Sequence, residues 1–256
     1  MHVIKWLWLF FIVSGISLTT MAATKHSYIV GSQDIAYYPH YDFGREGDKG
    51  YAWAVLQAFA QHSGYHFEYR SYPIKRLQRA LVNASIDFAY PDNKGWRALP
   101  SEVEPQKILS QPLITAISGT LVLEKHEFDP IGKFSSLVVP HGFTPVHWLD
   151  RIAQKRLNLV EVNTPIAALN LVLKGRVDGA DIEYNVAQHL WQSTQQKSVI
   201  TLAKMLPHGP VTFHLATIHQ GNIIQQLNTF ISNNQALMTK LRKFYRLIEP
   251  NELNGQ

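Results

Sequence analysis

Aromatic side chains gather where the predicted strands of this chain end: Tyr37, Tyr38, Tyr41, Tyr72, Tyr90 and Trp96. The face of a Tyr or Trp ring can pack the apolar part of a ligand or contact its cation. Core packing is the competing account, and it is the one expected for Trp53 and Phe59 inside a helix. A different chemistry is available at Gly142-Phe143-Thr144, just ahead of Pro145, which reads as the first position of a helix. Unpaired backbone N–H groups at a helix start, with the Thr144 hydroxyl, can hold an anion. Simple capping by Thr144 explains the same residues, and the two roles can coexist. The 12 histidines invite a metal reading, but the pairs His141/His147 and His214/His219 fit no compact ligand set, so no metal site is expected. No G-x-S-x-G, Walker or Rossmann fingerprint is present, and no cofactor is implied.

The elements that must position these residues read as one unit used twice. Tyr28–Gly31 is a short strand, and a helix over Tyr51–Ser63 puts Tyr51, Val55, Ala58 and Phe59 on one face, with Gly64 as its stop. His66–Arg70 alternates as a strand, Pro73 opens a helix with Ile74, Leu77 and Leu81 on one side, and Ile86–Tyr90 is a third strand. In the second half Leu137–Val139 is a strand, and a helix begins at Thr144-Pro145 and carries Leu149, Ile152 and Ala153. Leu157–Val162 follows as a strand, Thr164-Pro165 starts a helix through Leu173, and Gly175–Ala180 leads into the last strand. The junctions Ala84-Ser-Ile-Asp87 and Gly175-Arg-Val-Asp178 match closely, and their aspartates are expected to be structural, turning or capping the chain. Two βαβαβ units imply an α/β protein with two lobes, each a mostly parallel sheet flanked by helices. Ligands bind beyond the carboxyl ends of such strands, so facing lobes would form a cleft there. A strand at Val211–Thr217 and helices near Asn222–Asn233 and Ala236–Arg246 are expected to complete the first lobe.

The first residues read as an address. Lys5 is followed by an apolar stretch from Trp6 to Leu18, too short to span a bilayer, and Thr20 and Ala22 stand at the −3 and −1 positions of a cleavage site. Residues 1–22 are therefore expected to be a cleaved signal peptide, with no Cys available for a lipid anchor. The net charge of +5 is scattered, without a basic run, so nucleic acid is not an expected partner. The absence of Cys also excludes disulfide and Cys-zinc scaffolds.

With these elements in order, residues 26–247 resemble the family 3 extracellular solute-binding proteins, the type II periplasmic binding fold. Tyr38-Pro-His-Tyr41 is similar to the family's Y-P-P-F, and Gly50-Tyr51 with its helix to G-F-x-V-D-L. Asn83-Ala-Ser-Ile-Asp87 and Lys174-Gly-Arg-Val-Asp178 resemble the paired N-G-x-x-D junctions, and Ser110-Gln-Pro-Leu113 resembles F-S-x-P-Y. His141-Gly-Phe-Thr144 resembles the G-T-T start of the second lobe. The resemblance implies a periplasmic, monomeric, non-catalytic binder that closes on a small polar or zwitterionic, amino-acid-like ligand and serves an ABC permease or a membrane-bound sensor. It places one lobe at residues 23–117 and 207–256, the other at 118–206, and hinge strands near Ile114–Leu123 and Leu202–Val211.

The same resemblance makes Arg97 the guanidinium that forks onto a ligand carboxylate, Glu183 the acid that takes a ligand ammonium, and Tyr41 a stacking ring. Tyr90, Trp96, Thr144, Gly142 and Phe143 complete the expected site. Two departures stand out: the usual aspartate of the first helix is Ala54, and T-x-T-x-x-R is replaced by Asp92-Asn-Lys-Gly-Trp-Arg97, which keeps the arginine and loses the threonines. Two other readings of this scaffold are a periplasmic cyclohexadienyl-dehydratase-like enzyme, with Glu183 as general acid, and a module that binds cell-wall fragments without cleaving them.

Overall fold

The computed structural model describes residues 26–96, 104–192 and 199–253. The expected signal peptide and Arg97 lie outside the described residues. The first unit runs β1 (Ser27–Gln33), α1 (Tyr51–Ser63), β2 (His66–Tyr72), α2 (Ile74–Val82) and β3 (Phe88–Asp92). After the short β4 (Ile108–Leu109) and the long β5 (Ile114–Leu123), the second unit runs β6 (Ser136–Pro140), α3 (Leu149–Ala153), β7 (Asn158–Val162), α4 (Pro165–Leu173) and β8 (Gly179–Asp181). The chain continues through α5 (Tyr184–Gln192), β9 (Ile200–Leu202), β10 (His208–Thr217), α6 (Gly221–Asn233), α7 (Gln235–Phe244) and α8 (Pro250–Leu253).

Strand order is β2-β1-β3-β10-β5-β8-β6-β7. The outer triplets are parallel: β1 pairs with β2 and β3, and β6 pairs with β7 and β8. Between them β5 and β10 run antiparallel to one another, from His208 opposite Gly119 to Phe213 opposite Ile114. The two lobes are thus joined by a pair of long strands that belong to both. The first of these spans the expected Ile114–Leu123, whereas the second starts at His208 and runs without a break to Thr217. The expected hinge strand at Leu202–Val211 is therefore corrected to start at His208, where it is continuous with the expected strand at Val211–Thr217, while Leu202 ends the separate β9. Pairing with β5 holds His208–Phe213 extended, including Pro210, whose missing N–H would otherwise suggest a break, and pairing with β3 and β4 carries the strand on to Thr217.

Local sequence accounts for most elements. On α1, Tyr51, Ala52, Val55, Leu56, Phe59 and Ala60 are buried at helical spacing, and Gly64 ends the helix in the left-handed region, φ 75°. On α4, the Thr164 hydroxyl accepts a hydrogen bond from Ala167 N at 3.2 Å, and Pro165 occupies the first turn. The repeated aspartates do equivalent work. Asp87 Oδ2 accepts from Ile29 N at 2.8 Å, and Asp178 Oδ2 accepts from Ser135 N, Ser135 Oγ and Ser136 N at 2.8–2.9 Å. Each carboxylate thereby ties the turn before a lobe's third strand to the start of its first. Burial alone would raise the Asp178 carboxyl, but the bonds from Ser135 and Ser136 hold it below the usual range.

One helix differs from expectation. Thr144-Pro145 does not begin it: the chain turns, and α3 starts only at Leu149. The reason is Trp148, which is 1% exposed, stacks on Phe134 with ring centroids 4.7 Å apart, and donates its indole N–H to Thr120 Oγ1 at 3.0 Å. Anchoring that ring in the second lobe's core fixes residues 144–148 as a turn and leaves a helix of five residues.

Candidate functional site

The parallel strands of both lobes aim their carboxyl ends at a shared cleft of about 930 Å³, its open mouth included. The first lobe contributes Gln33 at the end of β1, Tyr37 and Tyr41 from the following loop, Asp92 at the end of β3 and Trp96 beyond it. The second lobe contributes the turn Gly142–Thr144 after β6, with Asp181 and Glu183 at the end of β8. Ser118 of β5 and Val211 and Phe213 of β10 form the back wall.

Of the residues expected from sequence, Tyr41, Trp96, Gly142, Phe143, Thr144 and Glu183 line this cleft. Tyr90 does not. It is fully buried behind the wall, edge-on to Tyr41 and Phe213 with centroids 5.7 and 6.4 Å away. The anion site at a helix start takes a different form: Thr144 caps no helix, and the Phe143 N–H already donates to Pro140 O at 3.0 Å. Trp96 packs on Phe213 at 5.7 Å and presents an aromatic wall.

Three carboxylates reach the cleft, in three different states. Glu183, 4% exposed, accepts hydrogen bonds from Ile117 N at 3.1 Å and Asn185 Nδ2 at 2.9 Å through Oε1, and from Val186 N at 3.0 Å through Oε2. His40 Nε2 lies 2.7 Å from Oε2. Glu183 thus starts α5 as its capping residue and ties β5 to it, with both oxygens engaged by the protein. Asp92 lies 3.0 Å from Lys107 Nζ through each oxygen; burial raises its carboxyl, and the lysine opposes that rise. Asp181 has neither arrangement. It is half-buried, accepts no hydrogen bond from any described residue, and burial pushes its carboxyl up to about 7. Sequence reasoning passed over Asp181 in favour of the residue five after Asp178. The available signal was strand alternation, since positions 181 and 183 share a face.

Two further residues line the cleft beyond those that the family resemblance implies. The Gln78 side chain is buried with its Oε1 unpartnered among the described residues. Tyr37 accepts a hydrogen bond from Glu183 N at 3.0 Å; burial first, and then the Glu183 carboxylate, raise its hydroxyl well above the usual tyrosine range. Among the described residues, no three His, Asp or Glu side chains converge as metal ligands.

A chain with this architecture superposes on many solved structures. An arginine transport-system periplasmic binding protein from Legionella pneumophila superposes with a TM-score of 0.67 at 13% identity, over 86% of this chain and 100% of that one. The BvgS periplasmic VFT2 domain of Bordetella pertussis gives 0.65 at 17% identity, over 86% and 92%. The GluR0 ligand-binding core, solved with L-glutamate, gives 0.68 at 16%, over 87% and 99%. This is the type II periplasmic-binding-protein fold. No family model matches the sequence, and no curated protein matches it. At this level of identity the likeness is one of architecture.

In this periplasmic-binding-protein fold the lobes touch across the cleft. Gln33 Nε2 donates to His141 O at 3.1 Å, the Tyr37 and Phe143 rings meet at 5.2 Å, and Tyr37 bonds Glu183 N. A close approach of backbone to the opposite lobe occurs at Gly142, whose φ of 84° already disfavours any other residue. A Cβ there would sit 2.7 Å from Ile74 Cγ2 on the opposite lobe. Gly142→Ala should therefore hold the lobes apart, seen as a larger radius of gyration in small-angle scattering. Ile74→Ala in the same chain should restore closure by removing Cγ2. Scattering of the single variant that matches wild type would reject this close approach as the determinant of closure.

Proposed function

We propose that this chain is a periplasmic, non-catalytic solute-binding protein that closes on a small polar or zwitterionic, amino-acid-like ligand. The observation that carries this reading is a cleft walled by both lobes and by the two strands that join them. A ligand touching both walls stabilises the closed arrangement by its differential contacts, and that shift in population is the entire output needed for transport or sensing. The similar structures support the reading by their own titles: a transport-system periplasmic binding protein, a periplasmic VFT2 domain and a core complexed with L-glutamate. By the family resemblance, Arg97 holds the ligand carboxylate. An ABC permease or a membrane-bound sensor would read the closed form. Export fits the apolar leader, and among the described residues no helix is long and apolar enough to cross a membrane.

The test is a thermal-shift screen of the chain from Ala23 onward against amino acids, polyamines, organic acids and muropeptides. A ligand at 100 times its Kd adds about 2.7 kcal/mol of stability, which for a chain of this size is roughly 5–10 °C. A hit lost in Arg97→Ala supports both the binder and its carboxylate clamp. A folded protein that shifts with none of these compounds rejects the reading.

A further inference from the structure

The cleft holds one charged group that the described residues leave unanswered. Glu183 is engaged by two backbone N–H groups, the Asn185 amide and His40; Asp92 is paired with Lys107. Asp181, at the last position of β8, lines the same cleft with no hydrogen bond or ion pair to any described residue, and no Lys or Arg is among the described residues of the wall. A half-buried carboxylate without a partner is destabilising when ionised, unlike its two neighbours. Its surroundings are aromatic rather than basic: Tyr37, Trp96 and Phe213 line the same cavity. A carboxylate in a cavity lined by aromatic rings suits a cation, since both attract positive charge and neither attracts an anion.

We propose that Asp181 is the cation anchor of this cleft, and that the ligand carries a cationic group beyond any α-ammonium, an amine or guanidinium, which Asp181 receives. The inference rests on the solute-binding reading and deepens it by naming the ligand's charge. Glu183, held by the protein, then shapes the wall, and Asp181 supplies the free negative charge. The unpartnered carboxylate should also discriminate against acidic ligands, because a second anion in the same cavity would raise the energy of both.

Isothermal titration of the chain from Ala23 onward tests this, with L-arginine, L-lysine and putrescine as cationic probes and L-citrulline and L-norleucine as neutral counterparts. The expected result is that at least one cationic probe binds tenfold or more tightly than its neutral counterpart. Asp181→Asn should weaken that cationic probe by about 30-fold or more and remove the preference, as loss of one partner from a buried charge pair does. Circular dichroism confirms that the variant is folded. If citrulline or norleucine binds as tightly as the cations, or if Asp181→Asn leaves the preference intact, the assignment to Asp181 is overturned while the binder stands. If folded wild-type protein binds none of the five, the assignment falls together with the amino-acid-like reading.

Discussion

Asp181→Asn should raise the melting temperature of the unliganded protein at pH 8 and leave it nearly unchanged near pH 4. Burial holds the Asp181 carboxyl at about 7 in the folded chain, against an ordinary carboxyl near 3.8 once unfolded. Between pH 4 and pH 7 the folded protein thus keeps a proton that the unfolded chain has released. Raising the pH through that window therefore lowers stability, and above pH 7 both states are ionised and the deficit is constant. The difference amounts to about 2–4 kcal/mol after allowing for the group's partial contact with solvent. Removing the charge should recover roughly 5–10 °C in a chain of this size. Thermal melts of both proteins from pH 4 to pH 8 measure it, and the other titrating groups cancel in the comparison. A variant that melts below wild type at pH 8 would show that Asp181 has a stabilising partner. Greater stability together with weaker ligand binding is the usual mark of a residue kept for function.

Two residues further on, the same kind of experiment should give the opposite sign. Glu183→Ala removes the acceptor for Ile117 N, Val186 N and the Asn185 amide, and withdraws the carboxylate from His40, whose ring is fully buried. Buried donors left without acceptors, beside a buried ring that has lost its partner, cost about 3–5 kcal/mol. That is a large part of the total stability of an ordinary domain, about 5–15 kcal/mol. The variant should melt more than about 6 °C below wild type without any ligand present. Were Glu183 only a contact for a ligand's ammonium, the unliganded melt would be unchanged and only affinity would fall. The pair of variants thus separates a carboxylate that holds the protein together from one that is available to a ligand.

Much of the architecture was legible in the linear sequence because its causes are local. The α1 helix is set by apolar residues at helical spacing and by Gly64, and α4 by Thr164-Pro165; both lie where sequence reading puts them. Asp87 and Asp178 were readable as structural, because a short acid before an alternating strand has backbone N–H groups close at hand. The two lobes followed from finding the same βαβαβ order twice. The cleft at the carboxyl ends of the strands followed from that order.

The turn at Thr144, the unbroken β10 and the ranking of the acidic residues were decided elsewhere. Thr144-Pro145 carries a helix-start signal, but Trp148 finds its partners in Phe134 and Thr120, distant in sequence, and the turn follows the tryptophan. Tyr41 and Tyr90 both stand near strand ends, yet one faces the cleft and the other fills the space behind it. Asp181 and Glu183 share a face of the same segment and differ in what comes to meet them. Ile117, His40 and Asn185 reach one carboxylate, and none of the described residues reaches the other. By itself the sequence determined α1, α4, the repeated unit and the cleft, since periodicity and capping act over a few residues. Only the tertiary structure decided which carboxylate remains free, because hydrogen-bond partners and desolvation come from segments far away along the chain.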